Sequence, residues 1–191
     1  LGTDTVVVDD DFTAATPGWG LNHFDTVQDG IDAVDADGTV TVAAGRYFER
    51  PVIEKSLTLE GAGASDTIID ADGASDTIIS INANGVSIRN MTLTNNGGVS
   101  AGSTIAGLDI CGDQIDISNV TITETWYGIF VNGAQELTIT DCSVSHSDSV
   151  QSGIVIKNSD QISILNSSVS DSGNNAIDLY QVTNCTIQGN T

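Results

Sequence analysis

The chain has 191 residues, enough for one domain, and 39% of them are hydrophobic, mostly Val, Ile and Ala, with only 5% aromatic. Its 26 Asp and Glu against 5 Lys and Arg leave a net charge of −21, which excludes the basic footprint needed to bind nucleic acid or an anionic membrane surface. No stretch is apolar enough to span a bilayer, and the β-branched composition favours strands over helices.

The chain begins at Leu1 rather than Met and carries no basic-plus-apolar leader, as expected of a processed product or an excised piece. Residues 1–37 are expected to form an N-terminal strand and a capping helix. Phe24, Val27, Ile31 and Val34 fall at helical spacing, with Asn22 or Asp25 as the expected N-cap. Strand-like pieces follow at TVTVA (39–43), PVIE (51–54), SLTLEG (56–61) and TIID (67–70). The motif GASDTII occurs twice, at 63–69 and 73–79, and predicts two successive strand-turn elements.

From there the sequence repeats. GVSIRNMTLTN (85–95), QIDISNVTITE (114–124), ELTITDCSVSH (136–146) and QISILNSSVSD (161–171) align, and NCTIQGNT (184–191) begins a fifth copy. The anchors Ile88, Ile117, Ile139, Ile164 and Ile187 are 29, 22, 25 and 23 residues apart. A period-two block precedes each copy: IISIN (78–82), GLDIC (107–111), GIFVN (128–132), GIVIK (153–157) and AIDLY (176–180). A unit this short, with about three strands, buries its apolar face only by stacking on the next unit. Residues 38–191 are therefore expected to be a right-handed parallel β-helix of three-strand coils. The end coil, with Ile187 inside, is expected to need cover from another copy or from a C-terminal continuation.

One turn carries Asn90, Asn119, Asp141, Asn166 and Gly189 and predicts an Asn ladder inside the bend. Asn90, Asn119, Asn166 and Asn184 each begin an N-glycosylation pattern. The repeat itself accounts for the first three, so Asn184, read as outside the ladder register, is the glycosylation candidate. Three cysteines do not pair among themselves completely, and three free thiols are expected. His23 and His146, far apart, are read as solvated loop residues.

The stretches VVVDDDFTAATPGWGLNHFDTVQDGIDAV (6–34) and GTVTVAAGRYFERPVIEKSLTLEGAG (38–63) resemble the opening of secreted right-handed β-helix proteins of the NosD-like and pectinesterase-like kind. The resemblance covers nearly the whole chain and implies an extracellular or cell-surface location. It speaks to fold more than function, because such folds host lyases, hydrolases, esterases, epimerases and adhesins.

The resemblance also implies that any chemistry sits in the groove along the GIxI strand. Its outward positions are Ser80, Asp109, Phe130, Val155 and Asp178, then Asn82, Cys111, Asn132, Lys157 and Tyr180. No esterase, polygalacturonase or epimerase constellation is complete there; Trp126-Tyr127-Gly128 lacks the following acid and His. A lyase would need a basic residue, and Lys157 is the catalytic candidate, with Asp109 and Asp178 at equivalent positions in other coils, one coil each way from a bridging site; the alternative is a surface ion pair. Trp126, Tyr127, Phe130 and Tyr180 are the carbohydrate-binding candidates, since outward aromatics stack on sugar rings; the alternative is that loops fold over and cover them. Asp35-Ala-Asp37-Gly38 and Asp70-Ala-Asp72-Gly73 read as surface turns and, secondarily, as Ca2+ ligands lacking the distal Glu of a full loop.

Three functions are consistent with these residues. The first is a structural or adhesive solenoid that self-stacks end to end. The second is a lyase or epimerase acting on an acidic polysaccharide. The third, from the rows Thr92/Thr94, Thr121/Thr123, Ser143/Ser145 and Ser168/Ser170, is an ice-binding solenoid.

Overall fold

The computed structural model describes residues 3–97, 104–145 and 151–191. The first coil is built from β1 (Thr5–Val8), β2 (His23–Phe24) and α1 (Val27–Ala33), followed by β3 (Gly38–Val42), β4 (Gly45–Tyr47) and β5 (Val52–Ile53). Next come β6 (Leu57–Gly61), β7 (Thr67–Asp70), β8 (Ile79–Ile81) and the long β9 (Val86–Thr94). The repeats supply β10 (Ala106–Ile110), β11 (Ile115–Thr123), β12 (Tyr127–Asn132), β13 (Gln135–Thr140) and β14 (Ser143–Ser145). The last coils hold β15 (Ile154–Lys157), β16 (Asp160–Leu165), β17 (Ser168–Ser170), β18 (Ile177–Tyr180) and β19 (Thr183–Gln188).

All registered pairs are parallel, and they form two sheets of 13 and 6 strands. This is the parallel β-helix that the repeats predict. The smaller sheet runs β5-β8-β10-β12-β15-β18. The larger carries the other two strands of each coil, joined in β9 and β11 by a left-handed residue in mid-strand, Asn90 and Asn119.

The registers turn the sequence alignment into ladders. Ile88, Ile117, Ile139, Ile164 and Ile187 are successive partners, as are Ile81, Ile110, Val131, Ile156 and Leu179. All but the last coil's members are fully buried, each contributing roughly 1.5–3 kcal/mol before ordering costs. On β19, whose strand partner lies on one side only, Ile187 is 46% exposed.

The glycine of the GIxI motif has a packing cause. A Cβ on Gly153 would lie 2.3 Å from Val169 Cγ1 and 2.8 Å from the Ala176 carbonyl oxygen, so the coil closes there only over a bare backbone.

Several local readings are corrected. The Asn row is left-handed, with φ between 50° and 71° from Asn90 to Gly189, but Asn119, Asp141 and Asn166 are exposed. The ladder therefore runs along the outside of the bend, where Asn119 Nδ2 donates to Asn90 Oδ1 at 2.8 Å. Asn184 lies outside that ladder, as expected. It closes a second left-handed row formed by Gly85, Gln114, Glu136 and Gln161.

The helix covers the first coil as expected, but its N-cap is Thr26, whose Oγ1 accepts from Asp29 N. Phe24 lies in β2. Glu49 reaches over from the β4–β5 strap, and its two carboxylate oxygens accept from Val27 N at 2.8 Å and Gln28 N at 3.0 Å. The duplicated GASDTII leads to β7 in one sheet and β8 in the other, so the copies are not equivalent. His23 is a half-buried strand residue 5.1 Å from the Phe12 ring, not a solvated loop residue. His146 lies outside the described residues. Among the described residues no helix is long and apolar enough to cross a membrane.

Candidate functional site

The smaller sheet presents two outward rows, because residues two apart on a strand share a face. One row is Val52, Ser80, Asp109, Phe130, Val155 and Asp178. Beside it run Asn132, Lys157 and Tyr180. Five strand steps of about 4.8 Å make a face about 24 Å long. At its N-terminal end a cavity of about 610 Å³ opens between α1 and β5, lined by Gln28, Ile31, Asp32, Val52, Glu54 and Lys55. Gln28 closes the edge of β5 there: its Oε1 accepts from Val52 N at 2.8 Å, and its Nε2 donates to Val52 O at 3.3 Å.

The aromatic candidates separate into different roles. Phe130 is not an open platform. It is 8% exposed, in a small apolar cluster outside the coil with Ala106, Val155 and Tyr127. The Tyr127 ring covers it at 5.7 Å, tilted by 52°. Tyr127 Oη donates to Gln151 Oε1 at 2.8 Å, and burial, then the Asp178 charge, pushes that phenol above its ordinary pKa. Trp126 is half-buried at the corner, with its backbone N–H donating to Asn96 Oδ1 at 3.0 Å. Tyr180 is 60% exposed and is the open aromatic surface of the face.

The catalytic candidates share this face without meeting. Asp109 on β10 and Asp178 on β18 are three strand steps apart, about 14 Å. Lys157, on β15, is one step from β18 but two from β10, so the expected arrangement of one coil to either side does not hold. Lys157 Nζ instead stands 5.2 Å from the Phe130 ring centroid. Asp109 is half-buried between the ladder partners Ser80 and Phe130, and burial raises its pKa. It also raises the Cys111 thiol two residues on, whose own burial is the larger cause.

The Ca2+ candidates sit at separate places, Asp35 and Asp37 before β3, Asp70 at the end of β7 and Asp72 just after it. The Asp70 side chain is 1% exposed and pairs with Arg46, while its Oδ1 accepts from Asp72 N at 2.7 Å and Asn95 Nδ2 at 2.9 Å. Burial pushes its pKa up, but these bonds outweigh it and the net shift is downward. Among the described residues no three His, Cys, Asp or Glu side chains converge as metal ligands. Cys111, Cys142 and Cys185 are free thiols. The glycosylation candidate Asn184 is exposed, but its Nδ2 donates to Asp160 Oδ1 at 2.7 Å.

On the larger sheet the hydroxyl rows are in register, Thr92, Thr121, Ser143 and Ser168 beside Thr94, Thr123, Ser145 and Ser170. Their first members are occupied: Thr92 donates to the Ala64 carbonyl, and Thr94 bonds Thr123 at 3.2 Å.

Sequence reasoning missed the cavity beside α1, which depends on a contact between residues 24 apart and does not follow from period-two alternation.

Solved structures share this architecture. Pectin methylesterase from carrot superposes with a TM-score of 0.59 at 16% identity, over 94% of this chain and 64% of that one. The enzyme from Yersinia enterocolitica gives 0.54 at 16% identity, over 78% and 57%. PemA from Erwinia chrysanthemi gives 0.58 at 18% identity, over 98% and 67%. The chain thus spans 64% and 57% of the length of the carrot and Yersinia enzymes, and at these identities the likeness is one of fold. No curated protein matches the sequence. The family model described as "Periplasmic copper-binding protein (NosD)" matches residues 37–191, and the chain belongs to the NosD family.

Proposed function

We propose that this chain is a glycan-binding β-helix that acts outside the cytoplasm in an adhesive or structural role, with the outer face of the smaller sheet as its binding groove. The observation that carries this reading is the aromatic ledge. Tyr127, Phe130 and Lys157 pack into one another, and Tyr180 stands open beside them. An exposed ring fixed on a sheet offers a flat apolar surface of the kind sugar rings stack on. The pectin methylesterases that share the fold include complexes with hexasaccharides, and the family is described as periplasmic.

Hydrolysis by the Asp109–Asp178 pair is disfavoured by the spacing of the two acids. Glycosidic cleavage by paired carboxylates needs them about 5–9.5 Å apart, and Asp109 and Asp178 are about 14 Å apart. The copper in the family's description does not fit the donors described here. Met91 is buried, the Cys142 thiol is turned onto the Ile117 and Thr140 carbonyls, and His23 Nδ1 is hydrogen-bonded to Asn22. Cys111 and Cys185, the exposed thiols, lie three coils apart, one just after β10 and the other on β19. Soft copper ligands need to share one coordination sphere.

The test is retention on a panel of neutral and acidic polysaccharides by affinity electrophoresis, with Tyr180→Ala as the control. The wild-type chain should be retarded by at least one polymer, and the variant's affinity should fall roughly tenfold. Unretarded migration in every gel, or undiminished binding by the variant, refutes the groove.

A further inference from the structure

The five basic side chains are not used alike. Arg46 pairs with Asp70, Arg50 with Asp76 at 3.4 Å, and Arg89 with Glu60 at 3.0 Å. Lys55 Nζ donates to the Asp32 carbonyl oxygen at 2.9 Å. Lys157 instead has its ammonium over the Phe130 ring. In a chain of net charge −21, a cation that pairs with no carboxylate among the described residues is out of the ordinary. The cation–π contact is worth about 0.5–1 kcal/mol at an exposed site, enough to bias where the ammonium stands and too little to satisfy it. The stem lies on β15 between the ladder neighbours Asn132 and Tyr180, and the ammonium leans to the β12 side, over Phe130, so the charge and the open ring of Tyr180 lie on the same face to either side of β15.

We infer that Lys157 receives a single anionic substituent, a carboxylate or a sulfate, on a sparsely charged glycan whose ring stacks on Tyr180. This rests on the glycan-binding reading above. The sparseness follows from the rest of the face. A polymer charged on every sugar would lay anions over Asp109 and Asp178 on the same sheet, and like charges in contact there are unfavourable. A largely neutral chain with an isolated anion meets Lys157 and lays no charge over either acid.

The experiment measures affinity for four polymers: hyaluronan, with a carboxylate on every second sugar; κ-carrageenan, with a sulfate on every second sugar; polygalacturonate, with a carboxylate on every sugar; and neutral xyloglucan. Lys157→Met, Lys157→Arg and Tyr180→Ala are run beside the wild type. The expected result is that hyaluronan or κ-carrageenan binds at least about tenfold more tightly than polygalacturonate and xyloglucan. Lys157→Met should lose that preference by roughly tenfold, and Lys157→Arg should keep most of it. Whichever of the two alternating polymers binds identifies the anion as carboxylate or sulfate. Equal or tighter binding of polygalacturonate or xyloglucan, or an unchanged Lys157→Met, overturns the inference. If Tyr180→Ala still weakens binding in those cases, the groove itself stands. A wild type that binds none of the four polymers overturns the inference, and the groove is then judged by the wider panel.

Discussion

At the scale of single residues, burial sets two aspartates apart. Asp70 is held by Arg46, Asn95 and a backbone amide, and its pKa is lowered. Asp109 is half-buried beside Phe130, and burial raises its pKa. A carboxylate whose folded pKa lies above its unfolded value of about 3.9 binds its proton more tightly when folded, so its ionised form opposes folding. Asp109→Asn is therefore expected to raise the melting temperature at pH 7. The gain should shrink as pH falls through the raised pKa and vanish below about pH 3.9. Thermal melts across pH check this, together with a carboxyl NMR titration of Asp109, whose midpoint must lie above the ordinary value. A lower melting temperature for the variant at pH 7 would show that the charge has a partner. The sequence made the address of Asp109 legible, because period-two alternation puts it outward. Its environment was not legible, since that depends on Phe130 one coil away, itself covered by Tyr127.

At the scale of elements, the repeat was legible because stacking imposes one register on every coil. The isoleucine anchors, the GIxI strands and the left-handed Asn row all appear in the sequence at the positions where the ladders need them. What escaped was whatever is long-range within the coil. Glu49 caps α1 from 22 residues away, and Thr26 rather than Asn22 or Asp25 supplies the local cap. The left-handed Gln114, Glu136 and Gln161 carry no turn signature of their own; they follow Gly85 only because they lie in register with it. The GIxI glycine allows a direct check of the ladder geometry. Gly153→Ala places a methyl against Val169 and the Ala176 carbonyl oxygen at contact distances no Cβ adopts, and backbone is the part least able to give way. The expected loss is about 1–3 kcal/mol, measured by chemical denaturation. A neutral result would mean that the coil can widen at that corner.

At the scale of the whole molecule, two electrostatic effects oppose one another. The three Arg–carboxylate pairs tie neighbouring coils together, and added salt weakens them. Most of the 26 acidic residues have no cation to meet, and stacking draws like positions to within about 4.8 Å of one another. The repulsion is felt across a screening length of about 10 Å at 0.1 M salt and about 3 Å at 1 M. Pairs with an exposed partner contribute about 0–1 kcal/mol each, and at most three are lost. Self-repulsion from a net −21 is summed over many more contacts and is relieved on unfolding, when the chain expands. Repulsion should therefore win, and the melting temperature should rise steadily from about 0.1 M to about 1 M NaCl. Differential scanning calorimetry across that range decides it. A melting temperature that falls with salt would mean that the three pairs, rather than the uncompensated acids, govern the electrostatics of the stack.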